Sequence, residues 1–309
     1  MRLAFWLRLF GAFLGVGVLG WFLAQTDREA LTLALAGRAA WLPICVAFEV
    51  TRVVLETQAT RSALGKAAGL VPLGRLLAIH FVGYAVSSVL PMPRPTAEAT
   101  KASLLAGTLG LGRCVRVGLV LQASTLLAVS LASALFGALT NCVPLRRLLF
   151  LNFASLFVLG SGLLALTRWP DLHRSLARRW PRWRNFLERY GTEPAGFNPL
   201  APAAWLFLSV VLQSVLFGLL LRGHSSASFL LGSATAEGAH LVTASVAAAV
   251  PSQLGVREVA FAEVSASLGT SVTGAAALSL LPRAAQLVVS AFGFAVLACF
   301  RPPSRASEG

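Results

Sequence analysis

Charged residues are scarce in this chain, and their scarcity excludes most soluble functions. Only 12% of the 309 residues are Asp, Glu, Lys or Arg, whereas 56% are hydrophobic. A soluble domain carries about 25% charged residues, so half of the expected charge is missing. A water-soluble enzyme is therefore excluded, and so is a disordered chain, since disorder requires low hydrophobicity. The composition predicts a polytopic membrane protein.

Acidic residues are the scarcest charged group, and the excess of positive charge indicates the kind of partner. Twelve Asp and Glu stand against 26 Lys and Arg, which gives a formal net charge of +14. A chain mostly embedded in lipid has little surface for nucleic acid, so we assign the arginines to cytoplasmic loops and anionic headgroups. We expect a bacterial inner-membrane protein with membrane lipids as partners and no nucleic acid.

Paired cysteines are absent as well. The four cysteines stand singly, without a C-x-x-C spacing, at Cys45, Cys114, Cys142 and Cys299. We interpret them as small apolar residues, because a disulfide framework or a metal site needs paired spacing. No nucleotide-binding loop is found in the sequence, and we predict neither a metal nor a cofactor.

Long apolar runs, by contrast, are abundant. A membrane-spanning helix needs about 20 apolar residues, and six stretches meet that length: 3–24, 41–60, 117–139, 148–167, 203–221 and 273–299. Pro, Gly and charge interrupt two further apolar regions, 73–111 and 226–269. The basic, Trp-containing segment 168–200 fits an amphipathic helix on an anionic leaflet. We predict an all-α polytopic protein with a single transmembrane domain over 1–309.

An internal repeat relates the two interrupted regions. Shifting the sequence by 160 residues places His80, Pro91 and Glu98 on a second His, Pro and Glu. The same shift carries the apolar stretches around the first interrupted region onto those around the second. Transporter folds are often built from such repeats. We place repeat 1 at about 1–140 and repeat 2 at about 148–300.

Loop charge predicts the orientation of the repeats. Segments 61–75 and 168–200 are basic, so the positive-inside rule places both in the cytoplasm. Arg146 and Arg147 would then lie outside in a short loop, against the rule. Each repeat contains three crossings and one hairpin, which either re-enters or crosses the membrane twice, and the odd number of full crossings inverts the second copy. We therefore predict an inverted-repeat helical bundle with two interrupted hairpins and both termini in the cytoplasm.

The second helix carries the first candidate polar site. Glu49, Arg52 and Glu56 are spaced i, i+3 and i+7, which places them on one helical face. We expect Arg52 to pair with both acids. Two interpretations stay open: a structural ion network, or the wall of a polar cavity.

The two helix breaks form the second candidate site. The prolines of 91–95 forbid a continuous helix, and 251–258 forms a matching break. Irregular backbone inside a membrane is tolerated only beside protein or a water-filled cavity. We expect the two breaks to aim positive helix ends, with Arg94, Lys101 and Arg257, at one midplane cavity. Such a cavity attracts an anionic headgroup.

Local signals near the breaks suggest helix boundaries. We expect the helix after the first break to begin near Thr96, with Glu98 in its first turn, where a carboxylate suits the helix dipole. In the second break, Ser252 is a candidate cap and Gly255 permits a tight bend. The alternative is that Glu98 and Glu258 only cap helices while the arginines extend to the interface.

Three more ionisable groups lie in apolar surroundings. His80, Glu237 and His240 suggest a proton relay, since histidine titrates near neutrality, although a membrane histidine is commonly a packed, hydrogen-bonded residue. Arg283 follows Pro282 inside the last helix. We expect it to point inward and to pair with Glu258 or Glu263.

The break motifs resemble those of a known family. The run 250–260, followed by Leu281-Pro282-Arg283, resembles the signature of the flippase-like family that includes the membrane region of lysylphosphatidylglycerol synthases. The run 87–91 with Glu98 and Lys101 is similar to an earlier element of that signature. The resemblance spans about 41–299. It implies an eight-helix-type membrane domain that moves or handles anionic, aminoacylated or polyprenyl-linked lipids.

The sequence departs from the family pattern at the breaks. Ser87 and Ser88 replace an expected Asn, Ala97 replaces a Gly, and 252–254 lacks the usual glycines. These changes bear on the identity of the headgroup. The chain also ends without the soluble aminoacyl-transferase domain of full synthases, so we do not expect transferase activity of that kind.

The leading hypothesis is a lipid translocase without catalytic residues. The alternatives are a membrane-embedded transferase that uses Glu98, Glu237, His240 or Glu258, and a non-catalytic partner of an enzyme of lipid or glycolipid synthesis. The candidate substrate-binding residues are Glu49, Arg52, Glu56, His80, Arg94, Glu98, Lys101, Glu237, His240, Arg257, Glu258 and Arg283.

Overall fold

The computed structural model describes most of the chain as helix. The described residues are 17, 20, 21, 24, 27–90, 93–168, 200–247, 250, 253 and 255–299. Within these residues the chain forms ten named α-helices and no strand. The predicted all-α class is confirmed. The predicted first span, 3–24, and the predicted surface helix in 168–200 lie outside the described residues, apart from a few positions.

The ten helices follow one another along the chain, and two further helices lie between them. Two 3₁₀ helices, Ala39–Trp41 and Gly65–Leu70, flank the second α-helix. The α-helices are α1 (Arg28–Ala36), α2 (Leu42–Leu64), α3 (Leu73–Val89), α4 (Pro93–Leu109), α5 (Leu111–Leu139), α6 (Val143–Arg168), α7 (Leu200–Leu221), α8 (Phe229–Val246), α9 (Val256–Glu263) and α10 (Val272–Cys299).

Four helices are long and apolar enough to cross a membrane: α5, α6, α7 and α10. A fifth candidate span joins α1 to the stretch 39–70 through a bend of 46°. These helices contain the predicted spans 117–139, 148–167, 203–221 and 273–299, and α2 contains most of 41–60. The protein is therefore a multi-pass membrane protein.

Both predicted helix breaks are present. The first lies between α3 and α4, and the second between α8 and α9. Gly255 adopts φ +77°, a conformation that glycine accepts without steric cost, at the residue before α9. The predicted start of α4 near Thr96 is wrong, because α4 begins at Pro93. A proline fits the first turn of a helix, whose N–H groups have no intrahelical partner. Glu98 consequently lies beyond the first turn and not at a capping position.

The packing of the helices follows the 160-residue repeat. The set α2 to α5 has the same order and break as the set α7 to α10. Helix α3 packs on α10, and its counterpart α8 packs on α5; α2 packs on α10, and its counterpart α7 packs on α5. Helices α2 and α7 pack against each other. The two sets thus exchange equivalent contacts, while the inversion of one set relative to the membrane stays a prediction.

Small residues allow the closest helix crossings. A Cβ atom added at Gly293 of α10 would collide with the carbonyl oxygen of Phe81 and would lie 2.8 Å from the Cβ of Ala85, both on α3. A Cβ at Gly238 of α8 would lie 2.8 Å from Leu149 of α6. Close backbone approach through small residues is typical of helix packing in membranes. The crossing of α3 and α10 holds the first break against the second repeat.

Candidate functional site

A polar cavity of about 230 Å³ is lined by residues from both helix breaks. Its wall consists of side chains from α2, α3, α4, α8, α9 and α10. Four further site residues of the sequence analysis are buried outside this lining: Glu49, Glu237, Glu258 and Arg283. Eight of the twelve line the cavity: Arg52, Glu56, His80, Arg94, Glu98, Lys101, His240 and Arg257.

Glu49 and Arg52 form a hydrogen-bonded ion pair on α2. Arg52 Nη1 donates to the two carboxylate oxygens of Glu49 at 3.1 and 3.2 Å, and to Gln213 Oε1 of α7 at 2.8 Å. The hydroxyl of Tyr84 on α3 donates to Glu49 at 2.9 Å. Gln286 of α10 donates to the same carboxylate at 3.4 Å. Four helices therefore meet at this pair, and the added hydrogen bonds offset part of its desolvation.

Glu56 lies one helical turn after Arg52 on the same face of α2, and it pairs with a different cation. Its carboxylate accepts a hydrogen bond at 3.2 Å from Arg94 on α4. The prediction that Arg52 pairs with both acids is thus correct for Glu49 and wrong for Glu56. The reason is tertiary, because Gln213 and Ser209 of α7 hold the Arg52 guanidinium beside Glu49.

The Glu56–Arg94 pair is the most exposed ion pair of the cavity wall. The exposed fractions of the Arg94 and Glu56 side chains are 39% and 21%, whereas Glu49 is fully buried. Ser87 and Ser88, next to the first break, are partly exposed and line the same cavity. We name Glu56, Ser87, Ser88 and Arg94 the cavity mouth.

Glu98 and Lys101 form a pair within α4. Lys101 Nζ lies 2.5 Å from Glu98 Oε1, and both side chains line the cavity. Gly83 of α3 makes room for this pair, since a Cβ atom there would lie 3.0 Å from Lys101 Cγ. The pair therefore depends on a glycine of the neighbouring helix.

Glu258 joins the second break to the last helix. Its Oε2 accepts the backbone N–H of Gly255 at 2.8 Å, which caps α9, and Oε1 accepts Ser279 Oγ at 3.2 Å. Arg283 Nη1 lies 3.1 Å from the same Oε1, so the expected pairing of Arg283 is confirmed with Glu258. Glu258 is fully buried, and Arg283 also donates to the carbonyl of Gln253 at 3.4 Å.

Arg257 has no acidic partner among the described residues. It lines the cavity and is only 2% exposed. Its Cζ lies 5.7 Å from the ring centroids of both Phe217 and Phe261, in cation–π contact. Its Nε and Nη2 atoms donate no hydrogen bond within the described chain. A buried guanidinium that no carboxylate contacts is costly unless a ligand completes it.

Glu237 is a buried carboxylate that, like Arg257, forms no ion pair among the described residues. It is 1% exposed on α8, and its Oε2 atom has no hydrogen bond among the described residues. His80 Nε2 and His240 Nδ1, both in the cavity wall, also lack a partner there. The histidines and Glu237 are not joined by any described hydrogen bond, and the proton relay stays a prediction.

The buried charges of the site are balanced in number. Four ion pairs account for four cations and four carboxylates: Glu49–Arg52, Glu56–Arg94, Glu98–Lys101 and Glu258–Arg283. Arg257 and Glu237 remain, one of each sign. In the cavity lining, Arg257 is therefore the cation that no carboxylate contacts among the described residues.

Three contributors to the site were missed by the sequence analysis. Tyr84 and Gln286 line the cavity, and Gln213 binds Arg52 from α7. Tyr84 is one of two tyrosines in the chain, and its i+4 spacing from His80 is a signal that could have identified it. The glutamines are polar residues in apolar spans, which is a comparable signal.

A comparison with protein families decides the assignment of the chain. The family model described as the lysylphosphatidylglycerol synthase TM region matches residues 8–293, which include both breaks and all twelve candidate residues. The chain belongs to this family. No curated protein and no solved structure matches it.

Membership in the lysylphosphatidylglycerol synthase TM family defines the general role. The protein is a membrane protein of lipid metabolism or translocation. The expected resemblance is thereby confirmed, and it covers more of the chain than the 41–299 on which the motifs lie.

Proposed function

We propose that this protein translocates an anionic membrane lipid, with the headgroup passing through the polar cavity. The observation that carries the proposal is Arg257, a buried cation in the cavity wall with unused donors and no acidic partner among the described residues. A phosphate completes such a guanidinium, because it offers bidentate, charge-assisted hydrogen bonds. The cation–π contacts of Arg257 hold its plane in place without using its N–H groups.

The remaining polar groups suit the rest of a headgroup. His80 and His240 offer unpartnered ring nitrogens to hydroxyl or amine groups. Arg94 and Lys101 line the cavity in pairs with Glu56 and Glu98, and these pairs offer charged hydrogen-bonding groups to a headgroup. Arg283 is held behind the wall by Glu258, so its role is to position the second break. The acyl chains stay in the bilayer, since the cavity holds only a headgroup.

A membrane-embedded transferase is supported less well. Two of its four candidate bases, Glu98 and Glu258, are engaged in ion pairs with Lys101 and Arg283. The carboxylate oxygens of these two residues already contact cations, so they are not free to contact a reacting group. The contacts therefore favour binding and transport over group transfer.

Reconstitution tests the proposal. Proteoliposomes that contain a fluorescent phosphatidylglycerol analogue are treated with dithionite, which destroys only the outer-leaflet dye. We expect loss of nearly all the fluorescence with wild-type protein and of half with empty vesicles. Arg257→Gln is expected to slow the second half at least tenfold, whereas Arg147→Gln, an exposed arginine at the start of α6, leaves it unchanged.

The proposed orientation has a separate test. We propose that both termini, segment 61–75 and segment 168–200 are cytoplasmic in the bacterial inner membrane. In a cysteine-free background, a membrane-impermeant thiol reagent added outside should label His224→Cys and spare Lys66→Cys and Asn185→Cys. Labelling of the last two from outside would contradict the orientation without affecting the cavity.

A further inference from the structure

Among the buried charges of the site, one carboxylate and one guanidinium stand apart. Every other buried charge of the site is in an ion pair of 2.5 to 3.2 Å. Glu237 and Arg257 are 1% and 2% exposed, and each keeps a polar atom without a partner in the described chain. Their helices, α8 and α9, pack against each other. Glu237 and Arg257 are therefore the two buried charges of the site that no ion pair balances among the described residues, and each acts electrostatically on the other.

We infer that Glu237 is a proton-binding site that is linked to headgroup binding at Arg257. This inference rests on the proposed function. Above the pKa of Glu237 in the empty cavity, the ionised carboxylate balances the charge of Arg257. A bound phosphate replaces it as the counter-charge, and the buried carboxylate then takes up one proton from water. One anion and one proton enter together, so the net charge of the site does not change.

The surroundings of Glu237 contain few other groups that could act in its place. The charges that act on it come from Arg52 and Glu49 on α2 and from Arg257 on α9. Arg52 and Glu49 are already paired with each other. His240, three residues along α8, is the ionisable neighbour on the same helix.

The other helices packed on α8 add only charges near their ends. Helix α7 has no ionisable residue. Helix α6 has Arg146 and Arg147 in its first turn, both exposed, and α5 has Arg113 and Arg116 in its first two turns. None of these pairs with Glu237 in the described structure. When a phosphate replaces Glu237 as the counter-charge of Arg257, Glu237 is therefore the group that takes up the proton.

The linkage has a definite sign. Because headgroup binding adds a proton to Glu237, low pH favours binding and high pH opposes it. Between the pKa values of Glu237 in the empty and the occupied cavity, affinity should fall roughly tenfold per pH unit. The phosphate diester itself stays a monoanion over this range. In a pH gradient, lipid movement should follow the direction of proton movement.

Binding measurements on the full-length protein in detergent test the inference. The probe is dihexanoylphosphatidylglycerol, added below its micelle concentration in a weakly buffered solution that contains a pH dye. At a pH between the pKa values of Glu237 in the empty and the occupied cavity, we expect uptake of about one proton per lipid bound. Glu237→Gln should bind the lipid without proton uptake. Its affinity should not depend on pH and should equal the affinity of wild type at low pH. Glu263→Gln, an exposed acid at the end of α9, is the matched control and should behave as wild type.

The outcomes separate this inference from the proposed function. Lipid binding without proton uptake overturns the inference and leaves translocation standing. Proton uptake that persists in Glu237→Gln also overturns it and points to a histidine. Absence of lipid binding to wild type contradicts both. If Glu237→Gln fails to fold, infrared difference spectra of wild type decide: binding must produce the carbonyl stretch of a protonated carboxylic acid, and its absence refutes the inference.

Discussion

Glu98 and Glu258 follow the two helix breaks 160 residues apart, yet one pairs with a cation of its own helix and the other with a cation of α10. Glu98 contacts Lys101 of its own helix at 2.5 Å, and Glu258 contacts Arg283 of α10 at 3.1 Å. The residue that corresponds to Lys101 in the second repeat is Phe261. The second break is therefore tied to a long neighbouring helix, and the first pair is local to α4. This difference predicts unequal costs for the two carboxylates.

Removing the Glu258 carboxylate should destabilise the protein more than removing that of Glu98. Glu258→Gln leaves Arg283 buried without its counter-charge, which costs about 3–5 kcal/mol. Glu98→Gln also leaves a buried cation, since the Lys101 side chain is 7% exposed, but Glu98 is 18% exposed and the flexible Lys101 chain lines the cavity, so this loss should be smaller. Denaturant unfolding in detergent measures both. Equal losses of unfolding free energy in the two variants would contradict a larger contribution from the Glu258–Arg283 pair.

A double variant distinguishes an ion pair from separate effects. In Glu258→Gln with Arg283→Gln, neither residue leaves an unpaired buried charge. We therefore expect the double variant to be more stable than the sum of the two single losses predicts, by more than about 1 kcal/mol. Strict additivity in the same unfolding assay would contradict a direct interaction.

Much of this arrangement could be predicted from the sequence. The paired breaks follow from proline, which cannot continue a helix. The pairing of Arg283 with an inward acid follows from the cost of an unpaired charge in lipid, although the choice of Glu258 over Glu263 does not. The four spans of α5, α6, α7 and α10 follow from apolar length. These features depend on local chemistry or on a strong physical penalty, and both are visible in one sequence.

The features that could not be predicted depend on which helices become neighbours. Helical spacing places Glu49 and Glu56 equally well beside Arg52, and only contact with Gln213 of α7 decides between them. The pairing of Glu56 with Arg94 likewise joins α2 to α4. Helix α4 begins at Pro93, before the predicted start near Thr96, because its first turn accommodates both Pro93 and Pro95.

The closest helix crossing predicts a strong effect of a single methyl group. Gly293→Ala should destabilise the protein, because the new Cβ collides with the backbone of Phe81 on α3 and neither helix backbone can yield at low cost. Gly162→Ala in α6 is the control, since nothing lies within 4 Å of its added Cβ. The control should be neutral or slightly stabilising, as alanine favours helix over glycine. Equal unfolding midpoints for the two variants would contradict the crossing.

The cavity mouth predicts a change in access. Glu56→Gln removes the ion pair with Arg94 and should speed labelling of a cysteine placed at Ser87, which lines the cavity. The experiment uses a cysteine-free background and a small hydrophilic thiol reagent. Exchange of the charges, Glu56→Arg with Arg94→Glu, should return labelling to the starting rate. An unchanged labelling rate in all these variants would contradict a role of the Glu56–Arg94 pair in controlling access to the cavity.

The central claim is that the buried guanidinium of Arg257 binds the headgroup during translocation. The most direct measurement is the rate of the second, protein-dependent phase of dithionite bleaching for phosphatidylglycerol in proteoliposomes, with wild type, Arg257→Gln and Arg147→Gln compared at equal reconstituted protein. The account predicts a fast phase for wild type and Arg147→Gln, and a rate at least tenfold lower for a folded Arg257→Gln. A wild-type rate no higher than that of empty vesicles, or an unchanged rate in Arg257→Gln, would contradict it.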